Sequence, residues 1–202
     1  MDDTNKTCRE FVAALASSAP TPGGGGAAAP GGAVGAALCG MVASLTTGKK
    51  KYADVESEIQ QLLKSTNALQ NKLLDQVRAD AEGFQPLSRA YAIPREDPTR
   101  AAVLQSAAET ACTAPLEIMA LCAAALSAAG RLAEIGSRLA VSDAAAILRG
   151  ALEAAALNVL VNTKTMTDRS AADHLNARCF ALLDQGRTDG ERIFCAVRDQ
   201  LV

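Results

Sequence analysis

A chain of 202 residues is long enough to bury a substantial core, and its formal net charge of −2 gives no argument for a nucleic-acid partner. Tryptophan is absent and aromatics make up only 3% of the residues, so the usual platform for stacking bases is missing. Alanine dominates, which points to helices in close contact. The expectation is an all-α, up-and-down multi-helical array with one long helix, folded as a single domain over residues 1–202.

The acidic start Met1-Asp2-Asp3 does not fit a signal peptide. The uncharged run from Phe11 to Gly48 is broken by Pro20, Pro22, Pro30 and several glycines, which argues against a membrane-spanning helix and a membrane partner. Six cysteines (Cys8, Cys39, Cys112, Cys122, Cys179 and Cys195) are scattered without a C-x-x-C pair, and His174 is the one histidine. No zinc site follows from that set. Reduced, mostly packed thiols and a cytoplasmic location are expected. His174 lies among Asp173, Asn176 and Arg178, on what reads as a solvated helix face, and receives no role.

Thr7-Cys8-Arg9-Glu10 fits a capping box, so a short helix is expected to carry Phe11, Val12 and Leu15 toward the core. Pro20-Thr21-Pro22-Gly23-Gly24-Gly25-Gly26 then interrupts the chain. Its prolines cannot continue a helix, and its glycines permit a positive φ or close approach of the backbone to another group. A buried helix of small residues follows to Thr47, and Pro30 suggests that its first regular turn starts only there. A glycine loop feeding a helix N-terminus suits an anion or a polar ligand edge. It equally suits two helices crossing closely.

Gly48-Lys49-Lys50-Lys51-Tyr52 closes that helix. The lysines either complement the helix dipole or form a basic rim for an anionic ligand tail. From Asp54 to Tyr91, apolar residues recur in steps of three and four, which predicts one amphipathic helix of about 55 Å. Asp80 falls beside its core-facing stripe, three residues after Val77 and four before Phe84, with no cation one turn away. A carboxylate there is either desolvated, as a general base requires, or paired with an arginine from another helix. Pro86 is expected to kink this helix.

Asp97-Pro98 reads as the start of the next helix, Pro115 as a bend in it, and Gly130 as its end. A short piece, Arg131 to Gly136, leads to Ser142-Asp143, a helix start with an acidic first turn. Ala144 to Val161 is apolar nearly all round and is expected at the centre of the core. Asn158 and Asn162 share one face of it, where two amides need partners or a ligand. Ser170 to Val202 reads as an outer helix broken near Gly186 and Gly190. Gly24-x-Gly26-x-x-Ala29 satisfies a nucleotide-binding pattern without the strand that pattern requires.

Several of these segments act together as a signature. Pro20-Thr21-Pro22-Gly23-Gly24-Gly25, Met41-Val42-x-x-Leu45-Thr46-x-Gly48-Lys49-Lys50-Lys51-Tyr52, Asp80-Ala81-x-x-Phe84, Ser142-Asp143 and Asn158-Val159-x-x-Asn162 appear in this order. The set resembles the formiminotransferase–cyclodeaminase / methenyltetrahydrofolate cyclohydrolase family, over about Phe11 to Thr167. The run from Ala16 to Ala29 is most similar to its stand-alone cyclohydrolases. Many relatives carry serine where this chain has Gly26, so a hydroxyl contact is lost there, and Pro30, Gly83 and Pro86 also depart from the family pattern.

The resemblance implies a homodimeric enzyme of one-carbon metabolism, with a tetrahydrofolate derivative as substrate and no metal or nicotinamide cofactor. The expected reaction is hydrolysis of 5,10-methenyltetrahydrofolate to 10-formyltetrahydrofolate and its reverse. Asp80 is implied as the catalytic acid–base. Pro22, Gly23, Gly24, Gly25 and Gly26 would wall the pocket, and Asp143, Asn158 and Asn162 would hold the pterin edge or Asp80. Lys49, Lys50 and Lys51, with Tyr52, would meet the glutamate tail. The alternatives are loss of ammonia from 5-formiminotetrahydrofolate, and a non-catalytic helical binding protein. Gly32, Ala36 and Gly40 form a small-residue stripe that suits either a dimer surface or internal packing.

Overall fold

The computed structural model describes residues 3–136 and 140–200. Among them the chain forms α1 (Cys8–Leu15), α2 (Gly24–Thr46), α3 (Glu56–Tyr91), α4 (Arg100–Ala111), α5 (Thr113–Ile135), α6 (Val141–Lys164) and α7 (Arg169–Arg198), with no strand. A 3-10 turn over Lys50–Val55 leads into α3. The all-α expectation holds, and α3 is the long helix foreseen from its three- and four-residue steps.

The core forms where α2, α5 and α6 face one another and α3 closes one side. Val42, Leu73, Val77, Ile118, Leu126 and Leu152 are fully or almost fully buried there. A smaller cluster lies beyond it, where Leu87 and Ala90 of α3 meet Leu104 and Ala108 of α4 and Met166. Glycines set the spacing between helices. A Cβ on Gly32 would stand 2.7 Å from the Cys122 Sγ, and one on Gly35 2.6 Å from Leu148 Cγ. Gly32, Ala36 and Gly40 are all buried, so that stripe serves internal packing.

Several boundaries differ from expectation for physical reasons. α2 begins at Gly24 and runs unbroken through Pro30. Pro30 forfeits its bond to the Gly26 carbonyl, and burial of the flanking Ala28, Ala29, Gly32 and Ala33 holds the helix together across it. α3 carries Pro86 within it and ends at Tyr91, where the sequence placed its end. α7 is unbroken at Gly186 and Gly190. A Cβ on Gly186 would sit 2.4 Å from Leu152 Cδ1, and one on Gly190 3.0 Å from Arg149 Cβ, so both glycines let α7 lie close against α6. The expected end of this helix at Val202 lies outside the described residues.

The helix expected from Asp97 starts at Arg100, while Asp97 accepts hydrogen bonds from the backbone and hydroxyl of Thr99. In place of the bend expected at Pro115 the helix breaks at Cys112, and α5 passes Gly130 to reach Ile135. The α1 capping box is present, with Thr7 and Glu10 bonded reciprocally. No residue of α1 is fully buried, but Phe11 packs against the core as expected while Val12 stays exposed.

By length and composition alone, α2, the stretch spanning α4 and α5, and α6 are apolar enough to cross a membrane. Because α2 passes straight through Pro30, its prolines do not disqualify it. What the fold shows is these helices packed on one another, with polar faces of α3 and α7 outside them.

Candidate active site

The gap between the two apolar clusters is where polar side chains collect. A cleft of about 200 Å³ opens there, lined by Pro20, Thr21, Gly23, Gly24, Asp80, Phe84, Ala111, Asn158, Val161 and Asn162. Four elements meet at it. The loop before α2 supplies the prolines and glycines, and the Thr21–Pro22 peptide is cis. The middle of α3 supplies Asp80 and Phe84, the last residue of α4 supplies Ala111, and the end of α6 supplies both asparagines.

The glycine run acts through close approach rather than unusual dihedrals. Among the described glycines only Gly48 has a positive φ, and Gly24 to Gly26 are the first three helical residues of α2. A Cβ on Gly25 would stand 2.2 Å from Asp80 Oδ1, and one on Gly24 2.9 Å from the Asn158 side-chain amide. A Cβ on Gly26 would meet Pro22 Cβ at 3.1 Å and Asp80 Oδ2 at 3.7 Å. Only bare backbone allows the α2 N-terminus to reach the Asp80 carboxylate.

That N-terminus has no side-chain cap at Gly23; instead, Asp80 accepts a hydrogen bond from the Gly26 backbone N–H. Two opposed effects therefore act on the carboxyl. Burial is the larger and raises its pKa above the ordinary aspartate value, while the Gly26 N–H pulls it back. Arg78 of α3 is engaged with Glu82 on the outside of the helix, and among the described residues no lysine or arginine lines the cleft. The arginine-paired alternative for Asp80 does not occur among the described residues.

Asn162 is buried and its Nδ2 donates to the Ala111 carbonyl at 3.0 Å, which holds the end of α4 against α6. Asn158 Nδ2 donates to the Ala154 carbonyl on its own helix at 2.9 Å. The fold thus unites Asp80, the glycine loop and both asparagines, with Pro22 buried beneath the loop.

Other expected site residues lie elsewhere in the subunit. Asp143 is exposed in the first turn of α6, about 22 Å along the helix from Asn158. Lys49, Lys50 and Lys51 are exposed just beyond the far end of α2, about 35 Å from Gly24. Lys51 Nζ stands 5.2 Å from the Tyr52 ring centroid. One chain alone brings neither Asp143 nor the lysines to the cleft.

Sequence reasoning had not placed Phe84, Val161 or Ala111 in the site. Phe84 follows Asp80 by four residues and Val161 follows Asn158 by three, so helical spacing carries the signal for both. Ala111 arrives from a separate helix and leaves no such mark. Among the described residues no group of His, Cys, Asp and Glu is arranged to hold a metal ion. The buried thiols of Cys39, Cys112 and Cys122 are each pushed up to about 12, which leaves them protonated packing groups.

Fold and site together define an α-helical protein with one desolvated carboxylate against a glycine-built helix N-terminus. Residues 7–181 match the family model described as formiminotransferase-cyclodeaminase. The chain is 40% identical to a methenyltetrahydrofolate cyclohydrolase of Methylorubrum extorquens, over 98% of each chain. It is 32% identical to the formimidoyltransferase-cyclodeaminase of Sus scrofa over 91% of this chain, which spans 35% of that longer protein. A solved formiminotetrahydrofolate cyclodeaminase from Thermotoga maritima superposes with a TM-score of 0.90 at 25% identity, covering 98% of this chain and 99% of the other. The chain belongs to the formiminotransferase-cyclodeaminase family.

Proposed function

We propose that the chain hydrolyses 5,10-methenyltetrahydrofolate to 10-formyltetrahydrofolate, reversibly, and that Asp80 is its catalytic acid–base. One observation carries the reading: a carboxyl raised by burial, in a cleft where no described lysine or arginine lies, fits a cationic substrate that brings its own counter-charge. The bridging carbon of the methenyl compound sits in an amidinium and is already electrophilic. Asp80 takes a proton from a water as its oxygen bonds to that carbon. The bond from the carbon to the ring nitrogen N5 then breaks, and N5 receives the proton from Asp80. The remaining hydroxyl proton leaves to solvent, and the formyl group stays on N10.

Gly23 and Gly24 wall this pocket, with Pro22, Gly25 and Gly26 buried behind them, and Asn158 and Asn162 offer amides to the pterin edge. Full-length similarity to the Methylorubrum cyclohydrolase, where the bifunctional relatives are matched over about a third of their length, supports hydrolysis. The proposal includes a homodimer in the cytoplasm that needs no metal or nicotinamide.

The second reading is release of ammonia from 5-formiminotetrahydrofolate, favoured by the Thermotoga neighbour. It would use the same carbon and the same aspartate. Methenyl absorbance separates the readings. Loss of methenyltetrahydrofolate faster than in buffer supports the hydrolase, and gain from the formimino compound supports the deaminase. Neither change would leave a helical binding protein.

A further inference from the structure

Asn158 and Asn162 bring their side-chain amides to the cleft from α6, and the fold decides which end of each amide is left over. Asn158 Nδ2 donates to the Ala154 carbonyl at 2.9 Å, and Asn162 Nδ2 donates to the Ala111 carbonyl at 3.0 Å. A carbonyl oxygen only accepts, so each amide is turned with its nitrogen toward the protein backbone. The side-chain oxygens remain, and neither has a partner among the described residues. Asn162 is only 8% exposed, yet among those residues no fully enclosed side-chain oxygen lacks a hydrogen bond. Its Oδ1 therefore opens onto the cleft that Asn162 lines. An acceptor held so deep without a partner calls for a donor.

The rest of the wall points the same way. Asp80 adds a carboxylate, and among the described residues no lysine or arginine lines the cleft. A ligand carbonyl set against α6 would face oxygens, whereas an N–H edge would be paired. Spacing narrows the donor further. Side chains four residues apart on a helix stand about 5–6 Å from each other at Cβ. A nitrogen about 2.9 Å from each of two oxygens, with its N–H bonds about 120° apart, holds those oxygens about 5 Å from each other. One primary amino group therefore fits between the two asparagine oxygens. The place adjoins the chemistry. Asn158 lies over Gly24, where an added Cβ would stand 2.9 Å from its Oδ1, and Asp80 lies over Gly25, the next residue.

We infer that the cleft contains an amino subsite, in which Asn158 Oδ1 and Asn162 Oδ1 accept the two hydrogens of one ligand NH2 group. On the proposed folate reading, on which the identity of this donor rests, the group is the 2-amino group of the pterin. The two asparagines then bind and orient the substrate and move no proton. A ring with methyl in place of amino keeps its shape but leaves both oxygens unpaired.

Isothermal titration calorimetry tests the subsite without turnover. The ligands are 5-formyltetrahydrofolate and its analogue with 2-methyl in place of the 2-amino group. Wild type is expected to bind the amino compound about 30-fold more tightly, near fivefold for each hydrogen bond. Asn158→Ala should leave about fivefold, from Asn162 alone. Asn158→Asp keeps an oxygen and removes the amide nitrogen, so its ratio should equal or exceed that of wild type. The added charge acts on both ligands alike and cancels in the ratio. An aspartate variant whose ratio falls to that of the alanine variant would show that Asn158 donates, and would overturn the subsite. A wild-type preference below about threefold would overturn it as well.

The proposed hydrolysis fails separately. A protein with the expected ratios but no turnover of the methenyl compound loses the reaction and keeps the subsite. Turnover without preference for the amino group does the reverse, and binding of neither tetrahydropterin would remove both.

Discussion

The Asp80 carboxylate lies so close over Gly25 that a β-carbon on that glycine would stand 2.2 Å from Asp80 Oδ1. No rotamer of an alanine relieves this, because the clash is with the β-carbon itself. Gly25→Ala is therefore expected to displace Asp80 and lower kcat/KM by about 100-fold or more, roughly 2.7 kcal/mol of transition-state stabilisation. Steady-state kinetics with the methenyl compound, beside a circular-dichroism check of helix content, read this directly. An alanine variant within threefold of wild type would show that the close approach is dispensable.

The same burial predicts a stability effect of opposite sign to most substitutions. The folded state raises the Asp80 pKa, so ionising it costs stability; the cost is absent below the ordinary carboxylate range and complete above the raised value. Asp80→Asn removes the cost while keeping an oxygen that can accept from the Gly26 N–H. The variant is expected to melt a few degrees higher at pH 7, about 2–4 °C for each kcal/mol in a chain of this size. The difference should vanish near pH 3. Thermal scans across that range check it, and an asparagine variant less stable at pH 7 would contradict the burial argument.

Catalysis should show the same group from the other side. A base must be ionised to accept the proton of water, so kcat/KM is expected to rise with pH through the Asp80 pKa and then level. That limb should lie above the ordinary aspartate range, because burial outweighs the Gly26 hydrogen bond. A pH–rate profile flat down to pH 4 would speak against Asp80 as the titrating group.

Gly186 offers a control remote from the chemistry. Its missing side chain admits Leu152, a fully buried residue whose Cδ1 would be 2.4 Å from an added Cβ. Gly186→Ala is expected to destabilise the fold by about 1–3 kcal/mol through overpacking, with kcat essentially unchanged. A melting temperature equal to wild type would mean that α6 and α7 separate more easily than their packing implies.

Much of this site was legible because helical spacing is local. Asp80 beside Val77 and Phe84, and Asn158 with Asn162, declared a shared face from their intervals alone. The Thr7–Glu10 box and the long α3 were readable for the same reason. What the intervals do not encode is which end of one helix meets which end of another. The resemblance assigned Lys49–Lys51 to the same ligand as the glycine loop, yet within one chain α2 separates the two by its whole length. Asp143 likewise stands most of the length of α6 away from Asn158. Gly186 and Gly190 read as breaks because a glycine that ends a helix and a glycine that admits a neighbour look alike until the neighbour, Leu152 or Arg149, is known. α2 and α6 are central to the core as expected, but their outer residues Val34, Met41, Leu157 and Val161 are exposed, because apolar residues all round a helix do not reveal which face is covered.

The central claim is that one water-starved carboxylate moves the proton in methenyl hydrolysis, and turnover by Asp80→Asn tests it most directly. The asparagine keeps the shape of the cleft and the contact to Gly26, so folate affinity should stay within a few-fold of wild type. Hydrolysis of 5,10-methenyltetrahydrofolate is expected to fall by about 10²–10⁴-fold. An asparagine enzyme that hydrolyses the methenyl compound within tenfold of the wild-type rate would contradict the account.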